Sequence, residues 1–193
     1  MKKKDEVLDF WFGDPLRPRS QFWFGKSEET DSVIRDRFSG AVKEAADGGL
    51  DGWAEDPRGR LALIILLDQF PRNIWRNEAE AYLCDGLAVQ LVLDGLQRDH
   101  DRALAPLERA FFYMPLEHAE DMRLQDLSAK CFAGLLVEAG EENKEIFEGF
   151  LDYAEQHRQI IRRFGRFPHR NKVLGRRSTE VEEAFLRQPG SSF

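Results

Sequence analysis

His118, Asp121 and Gln125 recur at intervals of three and four in the stretch FFYMPLEHAEDMRLQ, Phe111 to Gln125, with Glu117 one turn before Asp121. If Pro115 opens a helix, an imidazole, two carboxylates and an amide share one stripe along the edge of an apolar face. A solvated stripe is ordinarily richer in Lys and Glu; His, Asp and Gln at this spacing suit hydrogen-bonded groups in a cleft, where imidazole beside carboxylate serves general acid and base chemistry. A structural reading stands next to it, with Glu117 and Asp121 complementing the helix dipole and His118 a satisfied, partly buried histidine. A metal would need more ligands, for instance His157 or His169, and no HExxH or paired ExxH motif supplies them, so no metal is assigned and no cofactor class is indicated.

Two other stretches echo each other: QFPRN, Gln69 to Asn73, and RFPHRN, Arg166 to Asn171. Each joins a Phe-Pro turn to arginine and amide groups, which pair well with carboxylate or phosphate. Asp68, Gln69, Arg72 and Asn73 from the first, and Arg166, His169, Arg170 and Asn171 from the second, are therefore candidate ligand-binding residues. The second echo sits in HRQIIRRFGRFPHRNKVLGRR, His157 to Arg177, which is rich in arginine and holds no acidic residue. Such an island can neutralise acidic helices of its own fold, take an anionic ligand or face a partner, and these three readings stay open. His157, on a seam of phenylalanine and isoleucine, reads as a core histidine bonded to a carbonyl or carboxylate, or as a fourth catalytic candidate with Glu117, His118 and Asp121.

The elements that must position these residues read as helices throughout. Ile34, Phe38, Ala41 and Ala45 keep helical spacing until Gly48-Gly49, and Asp56-Pro57 then opens a nearly all-apolar helix that Pro71 is expected to end. Asn77 is expected to cap a helix carrying Ala81, Cys84, Ala88, Leu91 and Gly95. After Pro115 a long helix should bury Leu116, Leu124, Leu127, Cys131 and Leu135. Phe147, Phe150, Ala154, His157, Ile161 and Phe164 step by three and four up to a stop at Gly165, and Thr179 with Glu182 is a capping box for a last helix bearing Val181, Phe185 and Leu186. No alternating run survives, so no sheet is expected. Two FWFG stretches, Phe10 to Gly13 and Phe22 to Gly25, read as a hydrophobic lid on the core.

The chain has 193 residues, 42% hydrophobic and 33% charged, which suits one domain over residues 1–193 with a sizeable core. Its longest apolar run, Leu61 to Leu67, is far below the roughly 20 residues a bilayer demands, so no membrane partner is expected. Acidic residues interrupt the N-terminal MKKKDEVLDFWF where a signal peptide would be apolar, and two isolated cysteines suit a reducing compartment; a cytoplasmic location is expected. A net charge of -7 argues against a nucleic-acid partner. No serine elbow, P-loop, GxGxxG or catalytic cysteine motif is present.

Taken together, VLDFWFG, FWFG, LALIILLDQFPRNIWR, ERAFFYMPLEHAEDMRLQ and RFGRFPHRNKVLGRRSTEVEEAFL resemble the uncharacterised bacterial family DUF924 from end to end. The resemblance implies an all-α fold of the tetratricopeptide-like superhelix kind and implies no activity. From periodicity alone the expectation is seven or eight helices, either in a compact array or in pairs stacked as in a helical repeat. Two functions are weighed: a small-molecule binder, or hydrolase- or isomerase-type enzyme, whose His/Asp/Glu and Arg/Asn groups hold an anionic ligand; or a scaffold that binds a protein partner without catalysis.

Overall fold

A computed structural model describes residues 3–13, 16 and 18–191. Met1 and Lys2, part of the basic start read above, lie outside them. Among the described residues there are ten α-helices and no strand, so the protein is all-α. No helix in this range is long and apolar enough to cross a membrane.

Contacts along the chain gather into two compact units, residues 1–76 with 80–116 and residues 77–79 with 117–193. The first unit contains α1 (Lys3–Phe12), α2 (Ser20–Phe24), α3 (Glu28–Ala46), α4 (Pro57–Ile64), α5 (Phe70–Ile74), α6 (Asp85–Gln97) and most of α7 (Pro106–His118). Asp56 caps α4 by accepting the Gly59 N–H, and Pro57 fills the first position, where a missing N–H leaves no bond unmade. The two FWFG stretches pack together here: Trp11 meets Phe70 and Phe111 at 5.6 and 5.7 Å, Trp23 meets Phe111 at 4.7 Å, and the Trp23 indole donates to the Trp11 carbonyl. Such edge-on aromatic packing adds about 0.5–1.5 kcal/mol per pair beyond area burial.

Pro71 does not end the α4 helix. The chain widens into a π-helical turn, Ile65–Gln69, in which the Phe70 N–H reaches back to Ile65 O, and Pro71 then falls in the first turn of α5. There its missing donor is tolerated, and the Arg72 guanidinium takes the Asp68 carbonyl at 2.6 Å. Nor is Asn77 a helix cap; it adopts φ 66°, a left-handed turn that asparagine tolerates, and α6 starts only at Asp85 after the short 3-10 turn Ala79–Tyr82.

The second unit holds the end of α7 with α8 (Met122–Glu138), α9 (Lys144–Phe164) and α10 (Glu180–Leu186). Helices α8 and α9 pack along each other through Phe132 and Phe150. The α8 face that is buried comprises Gln125, Ser128, Ala129, Phe132 and Leu135, whereas the expected Leu124, Leu127 and Cys131 are half-buried. On α9 the buried seam runs through Phe147, Phe150, Ala154, His157 and Ile161 to a left-handed Gly165, as the spacing predicts. Thr179 and Glu182 form the expected capping box on α10, but Val181 faces solvent.

Candidate functional site

The stripe of His118, Asp121 and Gln125 is not on one helix. Pro115 lies inside α7, which ends at His118, and Asp121 is the N-cap of α8, with its carboxylate accepting the Arg123 and Leu124 N–H groups at 2.8 and 3.3 Å. These bonds, led by those from Arg123, hold the Asp121 carboxyl below its usual range. The α7 end exposes carbonyls that need partners. Buried Gln125 donates to the Glu117 and Ala119 carbonyls at 2.6 and 2.8 Å, and Arg170 donates to the His118 carbonyl at 3.0 Å.

Around this corner the second unit gathers five of the residues singled out by sequence. Arg170 stacks over the Phe167 ring at 4.4 Å, while His157 and His169 pack against the same ring at 5.4 and 5.7 Å. His118 lies 6.2 Å from His157, ring to ring. His157 Nδ1 is 2.9 Å from the Tyr153 carbonyl and 3.2 Å from Glu117 Oε1, a geometry in which Nδ1–H donates and Nε2 keeps its lone pair. Burial, helped by His118 and Arg170, pushes His157 down to about 3; burial and Arg170 push His169 down to about 4. At neutral pH His157 and His169 are thus uncharged imidazoles next to a buried guanidinium, each able to donate and accept a hydrogen bond.

Arg166 and Asn171 serve the loop that carries this centre. Arg166 makes a two-pronged pair with buried Glu182 at 2.7 and 2.8 Å, and together with Thr179 it holds the Glu182 carboxyl down at about 2. Asn171 donates to Ser178 Oγ and accepts from Arg176 Nε. Arg176 also takes both oxygens of Glu120 at 2.5 and 2.9 Å, and Glu120 accepts the Phe167 N–H at 2.7 Å, fixing the ring on which the histidines pack. Glu120, Arg176 and Glu182 were not among the sequence candidates. The double arginine and the acidic EHAED run were visible, but a pairing across 56 residues has no local signature.

Asp68, Gln69, Arg72 and Asn73 lie in the first unit, each engaged. Arg72 grips Asp85 with both terminal nitrogens, at 3.0 and 3.1 Å, and is 3.3 Å from Asp68. Burial works against its charge, but Asp68 and Asp85 outweigh burial and raise its pKa further. Gln69 donates to Asp68 at 2.6 Å, and Asn73 donates to Asp31, which Arg76 holds through two bonds at 2.6 and 2.7 Å. Burial would raise the Asp31 pKa; the Arg76 and Asn73 bonds lower it below the usual range. Among the described residues no group of three or more His, Cys, Asp or Glu side chains is disposed to hold a metal ion.

The molecule is thus an all-α protein whose second unit carries a histidine and arginine centre around a loop pinned by ion pairs. The chain belongs to the DUF924 family, described as a bacterial protein of unknown function, which matches residues 7–190. It is similar to the solved structure of ATU0120, a protein of unknown function from Agrobacterium tumefaciens, with 38% identity over 96% of this chain and 97% of that one and a TM-score of 0.84. No curated protein is significantly similar to it in sequence.

Proposed function

We propose that Glu117, His118, His157, His169 and Arg170 form a site for a small anionic ligand, a carboxylate or phosphate ester, in a cytoplasmic protein, with His118 as the group that exchanges a proton with it. The observation that carries this reading is the packing of Arg170, His157 and His169 on the single Phe167 ring, with His118 beside His157. A guanidinium supplies the fork that an anion binds, and half-buried His118 is the more accessible partner of buried His157. Proton transfer by a positioned imidazole is what hydrolysis or isomerisation of such a ligand requires.

An anion bound here would favour the charged form of its imidazole neighbours, so the ligand should raise their pKa values and take up protons on binding. Imidazole proton resonances followed during titrations with inorganic phosphate and with citrate test this. A rise at His157 or His169 that is absent in His118→Asn or Arg170→Met supports the site; unmoved imidazoles at saturating anion sink it. A second reading, a tetratricopeptide-like scaffold for a protein partner, is favoured by the solvent exposure of Leu83 (74%) and Val137 (86%). It predicts imidazoles indifferent to both anions.

A further inference from the structure

The first unit contains a half-open groove of about 340 Å³, at the lower end of the roughly 300–1,000 Å³ typical of small-molecule sites. Its walls are Leu63 on α4, Leu67 on the π-helical turn, and Leu87 and Leu91 on α6. A π turn is a rare geometry that recurs at functional sites, and here it forms part of an apolar wall. Leu87 is 47% exposed, so the wall continues to the surface.

The polar groups of the groove are asymmetric in charge. Arg60 is buried and fully engaged: it donates to the Leu91 and Ala54 carbonyls at 2.9 and 2.8 Å, to His100 Nδ1 at 3.2 Å, and pairs with Asp94 at 2.7 Å. It is structural and offers little to an anion. Asp94 receives Arg60 and Arg98 on Oδ2 while its side chain remains 47% exposed, and Asp51, exposed on the rim, makes no ion pair among the described residues. The groove therefore joins an apolar trough to carboxylates open to solvent.

We propose that this groove binds an amphiphilic organic cation, with its hydrocarbon chain along Leu63, Leu67, Leu87 and Leu91 and its ammonium group at Asp51 and Asp94. The site is separate from the histidine and arginine centre and does not depend on that assignment. A lone apolar trough would take an alcohol as well as an amine; the carboxylates select the cation and exclude the corresponding acid.

Calorimetric titration of the whole protein with n-octylammonium, n-octanol and octanoate, all below their aggregation limits, tests the proposal. Octylammonium should bind most tightly and octanoate at least about tenfold more weakly, since like charge costs what opposite charge contributes. Ala46→Phe, a substitution at an exposed lining position, should fill the mouth and abolish binding. Asp51→Asn should weaken octylammonium about two- to fivefold and leave octanol unchanged, as expected for an exposed charge. No heat from octylammonium, equal binding of octanoate, or wild-type affinity in Ala46→Phe would each overturn the assignment, provided the variant keeps the wild-type melting temperature. Should Ala46→Phe misfold, the Asp51→Asn comparison of amine against alcohol decides alone.

Discussion

His157 and Glu117 meet at 3.2 Å with both side chains buried, yet they do not form an ion pair. A salt bridge requires a protonated imidazole, and burial with His118 and Arg170 nearby holds His157 near 3. The contact is a hydrogen bond from a neutral ring, shared with the Tyr153 carbonyl. Two uncharged imidazoles, His157 and His169, are thus packed into the centre, an arrangement that acid would disrupt.

Stability should therefore fall as the solution is acidified from about pH 6.5 to about pH 5, before most carboxylates titrate. In this range the unfolded chain binds protons at His157 and His169 while the folded chain, with values of about 3 and 4, does not. The linkage slope is then positive: the contribution is complete above the unfolded value near 6.5 and declines as pH falls, by at most ~1.4 kcal/mol per pH unit for each imidazole. Urea unfolding across that range measures it, and His157→Gln should flatten the dependence. An identical slope in wild type and variant would show that another group controls acid sensitivity.

Much of this architecture was legible in local sequence, and the failures share a cause. The α9 seam, the Gly165 stop, the Asp56-Pro57 start and the Thr179–Glu182 box are decided within a few residues, and each stands where spacing put it. Pro71, Asn77 and Pro115 misled because a proline can be absorbed in the first turn of a new helical segment, as Pro71 is after the π turn Ile65–Gln69, or inside a helix, as Pro115 is in α7, and because asparagine can serve a left-handed turn as well as a cap. The chemistry of the site residues was visible as residue type. Which arginine bonds a helix-end carbonyl and which pins a loop was not, since Arg170 with His118 and Arg176 with Glu120 are set by tertiary packing.

Arg72→Lys should be strongly destabilising despite keeping the charge. Arginine spans both oxygens of Asp85 and the Asp68 carbonyl at once, and a lysine cannot reproduce that fork. Asp68, wholly buried, would lose its guanidinium neighbour. A loss of about 1–3 kcal/mol is expected, the cost of leaving buried acceptors without their donors. A midpoint in denaturant within error of wild type would show that Asp68 has sufficient support from Gln69.

Gly95→Ala tests the packing beneath the groove. A Cβ at this position would lie 2.6 Å from both Arg60 Cδ and Phe112 Cζ, closer than carbon atoms tolerate. Alanine is the better helix former, by about 1 kcal/mol at an open site, so sequence propensity alone predicts a gain. Overpacking at about 1–3 kcal/mol should win and lower stability. An increase in melting temperature would mean that the Arg60 network yields easily.

Asp121 separates capping from chemistry more cleanly than any other candidate. Its carboxylate accepts two N–H groups at the start of α8, a role that serine or asparagine can fill and alanine cannot. If capping is its whole contribution, Asp121→Ala should cost about 1 kcal/mol of stability, while Asp121→Asn recovers most of it. Both variants should then bind phosphate or citrate at the histidine centre as wild type does, because the cap is half-exposed and its bonds point along α8. An Asp121→Asn protein with wild-type stability but no anion response would reverse that conclusion and make the carboxylate part of the site. Denaturant midpoints and imidazole titrations on the same pair of variants distinguish the outcomes, since a cap acts on the first measurement and a ligand-binding carboxylate on the second.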